Sequence, residues 1–260
     1  MIFIDYLRFI KARLASNTCF VGPFKSWSDA KAETSGYESK DLLEKIVTKS
    51  KDARSKNLFE RDSFILDKPE HDFALMVYLY KTLAKEGSVR ILDFGGGCGS
   101  TYFNNLDLFK EVSDKIEWLI VEQEDLVKLA SGQFPPIKFE NSLLEALKKK
   151  PQISYFSGSL QYVEKYSEIL DSINISETEY CIIDRIPLHK EMKEQAFIQK
   201  VSKDIAQASY PLWILNEEKI SMKLSNFDLQ IKNNALDDFT FSSIGRINFF
   251  QLVFKNKRLR

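Results

Sequence analysis

Asp93-Phe94-Gly95-Gly96-Gly97-Cys98-Gly99 follows the apolar run Val89–Phe94 and precedes a stretch of helical character that opens at Ser100. Glycines in such a junction let the backbone turn tightly and approach a ligand with no Cβ in the way. The amides at the start of the next helix point outward and favour an anionic group. A strand, a glycine turn and a helix together begin an open α/β sheet. Such sheets take their ligand at the carboxyl ends of the strands, near the reversal in strand order.

The chain beyond this loop supports the same reading. Apolar runs recur at Ile116–Val121, Ile137–Phe139, Ile153–Phe156, Tyr180–Ile183, Leu212–Leu215 and Phe249–Phe254, the earlier ones separated by helical stretches such as Asp125–Ala130. Strands alternating with helices predict a doubly wound, Rossmann-like, mostly parallel α/β sheet of seven strands over residues 88–260. No long helix separates the last two strands, and Gly245 precedes the seventh. They are expected to form an antiparallel hairpin at a sheet edge.

Residues 1–87 read as an N-terminal helical extension that covers the site. Ser39 is placed to cap a helix carrying Leu42, Leu43, Ile46 and Val47 on one face. A second helix is expected from Glu70 to Glu86, with Phe73, Val77, Tyr80, Leu83 and Ala84 inward. Gly87 stands where a helix C-terminus wants a left-handed residue.

The bulk properties narrow the function. The 260 residues are 44% hydrophobic and 28% charged, with 37 basic and 37 acidic side chains. Zero net charge supplies no long-range field for nucleic acid, and that partner is not expected. The cysteines Cys19, Cys98 and Cys181 lack paired spacing, which fits a reducing, cytoplasmic setting. Histidines 71 and 189 are far apart, so no metal is expected. No window is apolar enough for a transmembrane segment. In residues 1–15, Ile2, Phe3, Tyr6, Leu7, Phe9 and Ile10 lie among charged residues and read as a helix packed on the protein body. The other reading is a peripheral membrane contact.

The cofactor is decided by two details. A dinucleotide fingerprint, G-x-G-x-x-G, runs from Gly95 into Ser100 and from Gly97 into Tyr102, and neither frame is complete. An acid also stands two places before the first glycine. Asp93 there would repel a pyrophosphate, but it can accept a bond from the ammonium of a methionine-like moiety. S-adenosylmethionine (SAM) carries that ammonium and NAD does not. A P-loop is excluded because no Gly-Lys-Ser/Thr follows. Glu122 ends the second strand, twenty-three residues beyond Gly99, where a carboxylate can accept both hydroxyls of a ribose.

With these residues the chain resembles the class I SAM-dependent methyltransferases, whose first motif is the acid-x-Gly-x-Gly-x-Gly loop. It is more narrowly similar to a bacterial family of uncharacterised methyltransferases associated with surface-polysaccharide gene clusters. The narrower likeness rests on Gly22-Pro23-Phe24 with Trp27 and Ala30, Gly36-Tyr37, Glu60-Arg61-Asp62-Ser63, Val121-Glu122-Gln123, Ser157 through Tyr162, Asp184-Arg185 and Ser209-Tyr210-Pro211 with Trp213.

The resemblance implies a cofactor site of Asp93, Gly95, Gly96, Gly97, Gly99, Glu122, Gln123, Glu140, Asn141, Ser157 and Gly158. Within it, Glu140-Asn141 would meet the adenine amine, although Asn141 is equally placed to cap a helix. Ser157-Gly158 would border the methyl group. Arg61, Gln161, Tyr162, Asp184 and Arg185 are the acceptor-side candidates. The acceptor is expected to be a small molecule or glycan, with S-adenosylhomocysteine as the second product. Tyr162, Asp184, His189 and His71 are the candidate bases, and no spacing selects among them. Two other readings stay open: a SAM-binding scaffold in glycan assembly without chemistry, and an NAD(P)-dependent oxidoreductase. The sequence does not fix the oligomeric state.

Overall fold

The computed structural model describes residues 2–14, 18–34, 40–61, 64–189, 194–200 and 209–259. Gly36, Tyr37, the expected cap Ser39, Asp62 and Ser63 lie outside the described residues.

The first third supplies α1 (Ile2–Leu14), β1 (Cys19–Phe24), α2 (Trp27–Ala32), α3 (Lys40–Ser55), the hairpin of β2 (Phe59–Arg61) and β3 (Phe64–Leu66), and α4 (Phe73–Glu86). The alternating region follows as β4 (Val89–Phe94), α5 (Ser100–Phe109), β5 (Ile116–Val121), α6 (Glu124–Ala130), β6 (Lys138–Glu140), α7 (Leu143–Lys148), β7 (Ile153–Ser157), α8 (Tyr166–Ile175) and β8 (Tyr180–Leu188). The chain then adds β9 (Gln195–Lys200), β10 (Ser209–Ile214), α9 (Glu217–Lys223), β11 (Phe227–Ser242) and β12 (Gly245–Asn256).

One sheet takes ten of these strands, in the order β10-β9-β1-β11-β12-β8-β7-β4-β5-β6. Strands β4 to β8 are mutually parallel, and the order reverses at β4, which pairs with β5 on one side and β7 on the other. Their burial explains their continuous apolar sequences, since helices cover both faces. Leu75, Leu79, Val89, Ile91, Trp118 and Ile120 fill one layer; Phe156, Leu170, Ile183 and Leu252 fill the other.

The doubly wound, mostly parallel fold is as expected, but the seven-stranded count and the closing hairpin are corrected. β12 is antiparallel to its neighbours, as the last strand should be, yet it lies inside the sheet between β8 and β11. Its hairpin partner is β11, not the Leu212–Leu215 strand. The Leu212–Ile214 part of that segment belongs to β10, at the far edge beside β9. The expected extension is also not wholly helical. β1 joins the main sheet, antiparallel to β9 and parallel to β11.

The face of α4 is a further correction. Phe73, Val77 and Tyr80 were expected inward but are 67%, 53% and 41% exposed. Leu75, Met76, Tyr78, Leu79 and Thr82 are buried instead. The helix is apolar on more than one side, so its own periodicity does not choose the stripe that the core takes. Asp72 caps it, accepting the Leu75 N–H at 2.9 Å, and Gly87 closes it in the left-handed region, φ 76°, as expected. On α3, Leu43 and Val47 are buried and Ile46 packs against the same core.

Helix α1 packs against β11 and β12 with Phe9 buried, while Ile4, Tyr6, Leu7 and Ile10 remain exposed. Among the described residues no helix is long and apolar enough to cross a membrane.

Candidate functional site

The glycine loop is shaped by its own conformations. Gly95, Gly97 and Gly99 have φ of 70°, 56° and 90°, values that L side chains rarely adopt. Around Gly95 and Gly96 the protein itself fills the space. A Cβ on Gly95 would lie 2.5 Å from the Ser159 side chain, and one on Gly96 2.5 Å from the Asp93 carboxylate. A Cβ on Gly99 would strike Ile137. Only at Gly97, of these four, does it meet nothing within 4 Å. Gly97 is where the loop opens.

Two acids flank that opening. Asp93, at the end of β4, is 1% exposed, and its Oδ2 accepts the Trp118 indole N–H at 3.1 Å. Burial pushes its carboxyl up to about 7, against the bond from Trp118. Glu122 follows β5 at the next strand end. Its Oε1 accepts the Gly97 N–H at 3.2 Å and its Oε2 the Gln123 N–H at 2.9 Å. Gln123 is exposed at the start of α6. Glu140 ends β6, one strand further out, where it accepts the Asn141 N–H at 3.1 Å. Asn141 is not the cap of α7; Ser142 is, accepting the Glu145 N–H at 3.4 Å. The serine sits one residue nearer the helix, where its hydroxyl reaches the first turn's free donors.

A cavity opens beside the loop, over the carboxyl ends of β4, β7 and β8. Asp93, Gly95, Gly96, Ser157, Gly158, Asp184 and Arg185 line it, all of them expected at the site. Residues 1–87 contribute Arg61, Glu70 and Asp72, with Arg61 paired to Glu70 at 2.9 Å. Helix α5 adds Ser100, Thr101, Asn104 and Asn105 to the lining. Most of these groups carry hydrogen-bonding atoms, so a polar ligand would find partners on several walls.

Arg185 interrupts β8 with φ 53°, a conformation that costs a non-glycine residue about 1–2 kcal/mol. The turn folds its side chain back across Gly158. Its Nε donates to Ser157 Oγ at 3.0 Å, and a Cβ on Gly158 would lie 3.2 Å from its guanidinium. Nothing in the sequence around Arg185 signals this strain, which lies beside the cavity.

Other candidates lie elsewhere. Tyr162 donates to Gln199 at 2.6 Å and packs with Phe20, Phe197 and Leu212, away from the cavity lining. Gln161 is buried, donating to the Arg185 carbonyl at 3.3 Å, with its Oε1 unpartnered. His71 faces Asp107 at 3.7 Å, and His189 follows β8, its N–H bonded to the Leu215 carbonyl. Of the four candidate bases, only Asp184 lines the cavity.

Sequence reading missed Asp72, Tyr155, Leu236 and Gln251. Asp72 carried a usable signal, an acid just before an apolar helix. Tyr155 and Gln251 sit inside strands and read only as strand residues.

No protein-family model and no curated protein sequence matches the chain. Among solved structures it is similar to a SAM-dependent methyltransferase from Methanosarcina mazei, with 12% identity and a TM-score of 0.49, over 72% of this chain and 99% of that one. It is similar also to the N-terminal domain of EvdMO1 with SAH bound, at 12% identity and a TM-score of 0.46, covering 80% and 96%. A third is SAM-bound CalS10, an amino pentose methyltransferase from Micromonospora echinaspora, at 10% identity and a TM-score of 0.46, covering 72% and 91%. Identity of this order carries no residue correspondence.

Proposed function

We propose that this chain is a SAM-dependent methyltransferase acting on a polar small molecule, such as a hydroxylated glycan precursor. The observation that carries the reading is the cradle around Gly97. The loop opens at that one glycine, with a buried carboxylate on one side and a strand-end carboxylate on the other. The donor set fits the chemistry of SAM: Asp93 for the ammonium, Glu122 for the two ribose hydroxyls, and Gly97 for close approach. A pyrophosphate would bring its charge against Asp93, which disfavours a dinucleotide.

SAM, when bound, supplies a methyl group activated by its positive sulfur. In-line displacement at that carbon needs alignment above all. Ser157 and Gly158, across the switch point from β4, are the residues we assign to the border of the methyl. Glu140 and Asn141 are assigned to the adenine end, with Gln123 beside the ribose. Arg61, Asp184 and Arg185 face the acceptor. Lining of the cavity by Arg61, Glu70 and Asp72 supports a role for residues 1–87 in covering the site and selecting the acceptor. Cytoplasmic work is part of the proposal, in keeping with three buried free thiols.

Calorimetric titration of the purified protein with SAM, S-adenosylhomocysteine, NAD and NADP tests the reading. Binding of either adenosyl compound supports it. Tight binding of a nicotinamide cofactor with neither adenosyl compound bound refutes it.

A further inference from the structure

Three buried aspartates from separate elements converge on the cavity: Asp72 at the cap of α4, Asp93 ending β4, and Asp184 in β8. Asp93 has a task in the reading above; the other two form a unit of their own. Gln251 of β12 places its amide nitrogen 2.9 Å from Asp72 Oδ2 and 3.2 Å from Asp184 Oδ1. That nitrogen carries two hydrogens, one for each carboxylate.

The two carboxylates are held differently. Asp72 also accepts the Tyr155 hydroxyl at 2.8 Å and the Leu75 N–H at 2.9 Å, so its place at the head of α4 is fixed. Asp184 accepts the Ser157 hydroxyl at 3.0 Å, and the Arg185 Nε stands 4.0 Å off, engaged with that same hydroxyl. The Arg185 backbone N–H bonds Asp184 as well, so its carboxylate takes three bonds and keeps at least one lone pair for an acceptor proton.

We propose that Asp184 is the general base of the transfer, taking the proton of an acceptor hydroxyl, and that Asp72, joined to it through Gln251, is its positioning residue. This rests on the methyl-transfer reading. In the step, the acceptor oxygen bonds to the methyl carbon and the carbon–sulfur bond breaks with its electron pair going to sulfur. The hydroxyl proton passes to Asp184. One negative and one positive charge are consumed, leaving a neutral carboxylic acid, a neutral thioether and a neutral ether.

The surroundings agree. Burial first, and next the Asp72 charge, push the Asp184 carboxyl up to about 7, opposed by Arg185 and Ser157. A base poised there is matched to neutral pH. The other ionisable groups facing the pair are Asp93 from β4 and Tyr155 from β7, and Arg61 and Glu70 line the same cavity. A thioether acceptor, which loses no proton on methylation, would have no use for such a base.

The test combines carboxyl titration with transfer to a defined hydroxyl probe. Carbon-13 NMR of aspartate-labelled protein should show a carboxyl titrating near pH 7 that vanishes in Asp184→Asn. It should move toward the ordinary aspartate range in Asp72→Asn. Asparagine is also a good helix cap, so Asp72→Asn removes the charge while sparing α4. With labelled SAM at saturation and molar glycerol, transfer should rise with pH through that midpoint. It should fall at least about a hundredfold in Asp184→Asn, and its pH profile should shift downward in Asp72→Asn.

An Asp184 titration unmoved by Asp72→Asn overturns the coupling. A wild-type protein that binds SAM yet transfers nothing to glycerol overturns the hydroxyl role, as does an Asp184→Asn protein of undiminished rate. Failure to bind SAM at all strikes the methyl-transfer reading instead, and calorimetry tells the two failures apart.

Discussion

Glu122 Oε1 accepts the Gly97 N–H at 3.2 Å, so the tip of the glycine loop after β4 is tied to the end of β5. The acid is thereby held at the loop's opening before any ligand arrives. Such preorganisation lowers the ordering cost of binding.

Glu122→Gln should weaken SAM binding by about tenfold to a hundredfold. Charge-assisted bonds contribute about 1.5–3 kcal/mol each, and 1.4 kcal/mol is a factor of ten. The amide oxygen can still accept the Gly97 N–H, and the bond given up is to the exposed Gln123, so the ligand-free melting temperature should hardly move. Equal calorimetric affinities for the two proteins would remove the ribose assignment.

Gly97 and Gly95 should fail in different ways. Gly97→Val adds about 1–2 kcal/mol of backbone strain and puts branches into open space over the cleft, so SAM binding should be lost from a folded protein. Gly95→Ala drives a Cβ against Ser159, a collision inside the protein, so stability should drop first. Melting curves and SAM titrations on both variants separate the two effects. Undiminished SAM affinity in folded Gly97→Val would show that the loop does not cradle the cofactor.

Stability and cofactor affinity should respond to pH in opposite senses. The folded-state pKa values of Asp93 and Asp184, each about 7, lie above the unfolded value of about 3.9. The native state thus holds these protons more tightly than the unfolded chain. Their contribution to stability is present at low pH and is lost as pH rises from about 4 to 7. The ammonium of SAM needs ionised Asp93, so affinity should weaken about tenfold per unit below pH 7. Asp93→Asn should bind weakly with no such slope. A wild-type affinity that is flat from pH 5.5 to 8 would count against the ammonium role.

Leu236 lies within the register shift between Asn234 and Phe239 of the β11–β12 hairpin and is 66% exposed at the cavity wall. Leu236→Ala should alter KM for an acceptor several-fold and leave the SAM dissociation constant unchanged. A change in SAM affinity alone would move this residue to the donor side.

What could be read from the sequence follows how local each signal is. Strands β4, β5, β7 and β8 are buried on both faces and appear as plain apolar runs. Asp93 and Glu122 end such strands, so their place at the cleft came with them. By contrast β11, FDLQIKNNALDDFTFS, is rich in Asn and Asp and reads as loop. Its extended form is secured by pairing with β12, which lies outside any local window. β1 contains Gly22-Pro23, and proline fits only a strand where its missing N–H is tolerated. Gln251 and Asp72 meet across 179 positions, a proximity with no trace in composition or period.

The pairing of Phe20 in β1 with Ser242 in β11 sets the order in which the molecule can be finished during synthesis. Contacts between neighbouring strands β4, β5 and β7 become available early, as the nascent chain emerges. β1 leaves the ribosome before the other strands and must wait 222 residues, from Phe20 to Ser242, before its β11 neighbour exists. Leu236 of the cavity lining and Gln251, which ties Asp72 to Asp184, emerge in the same late stretch. A chain stalled before that point would carry the glycine loop with one side of the cavity missing.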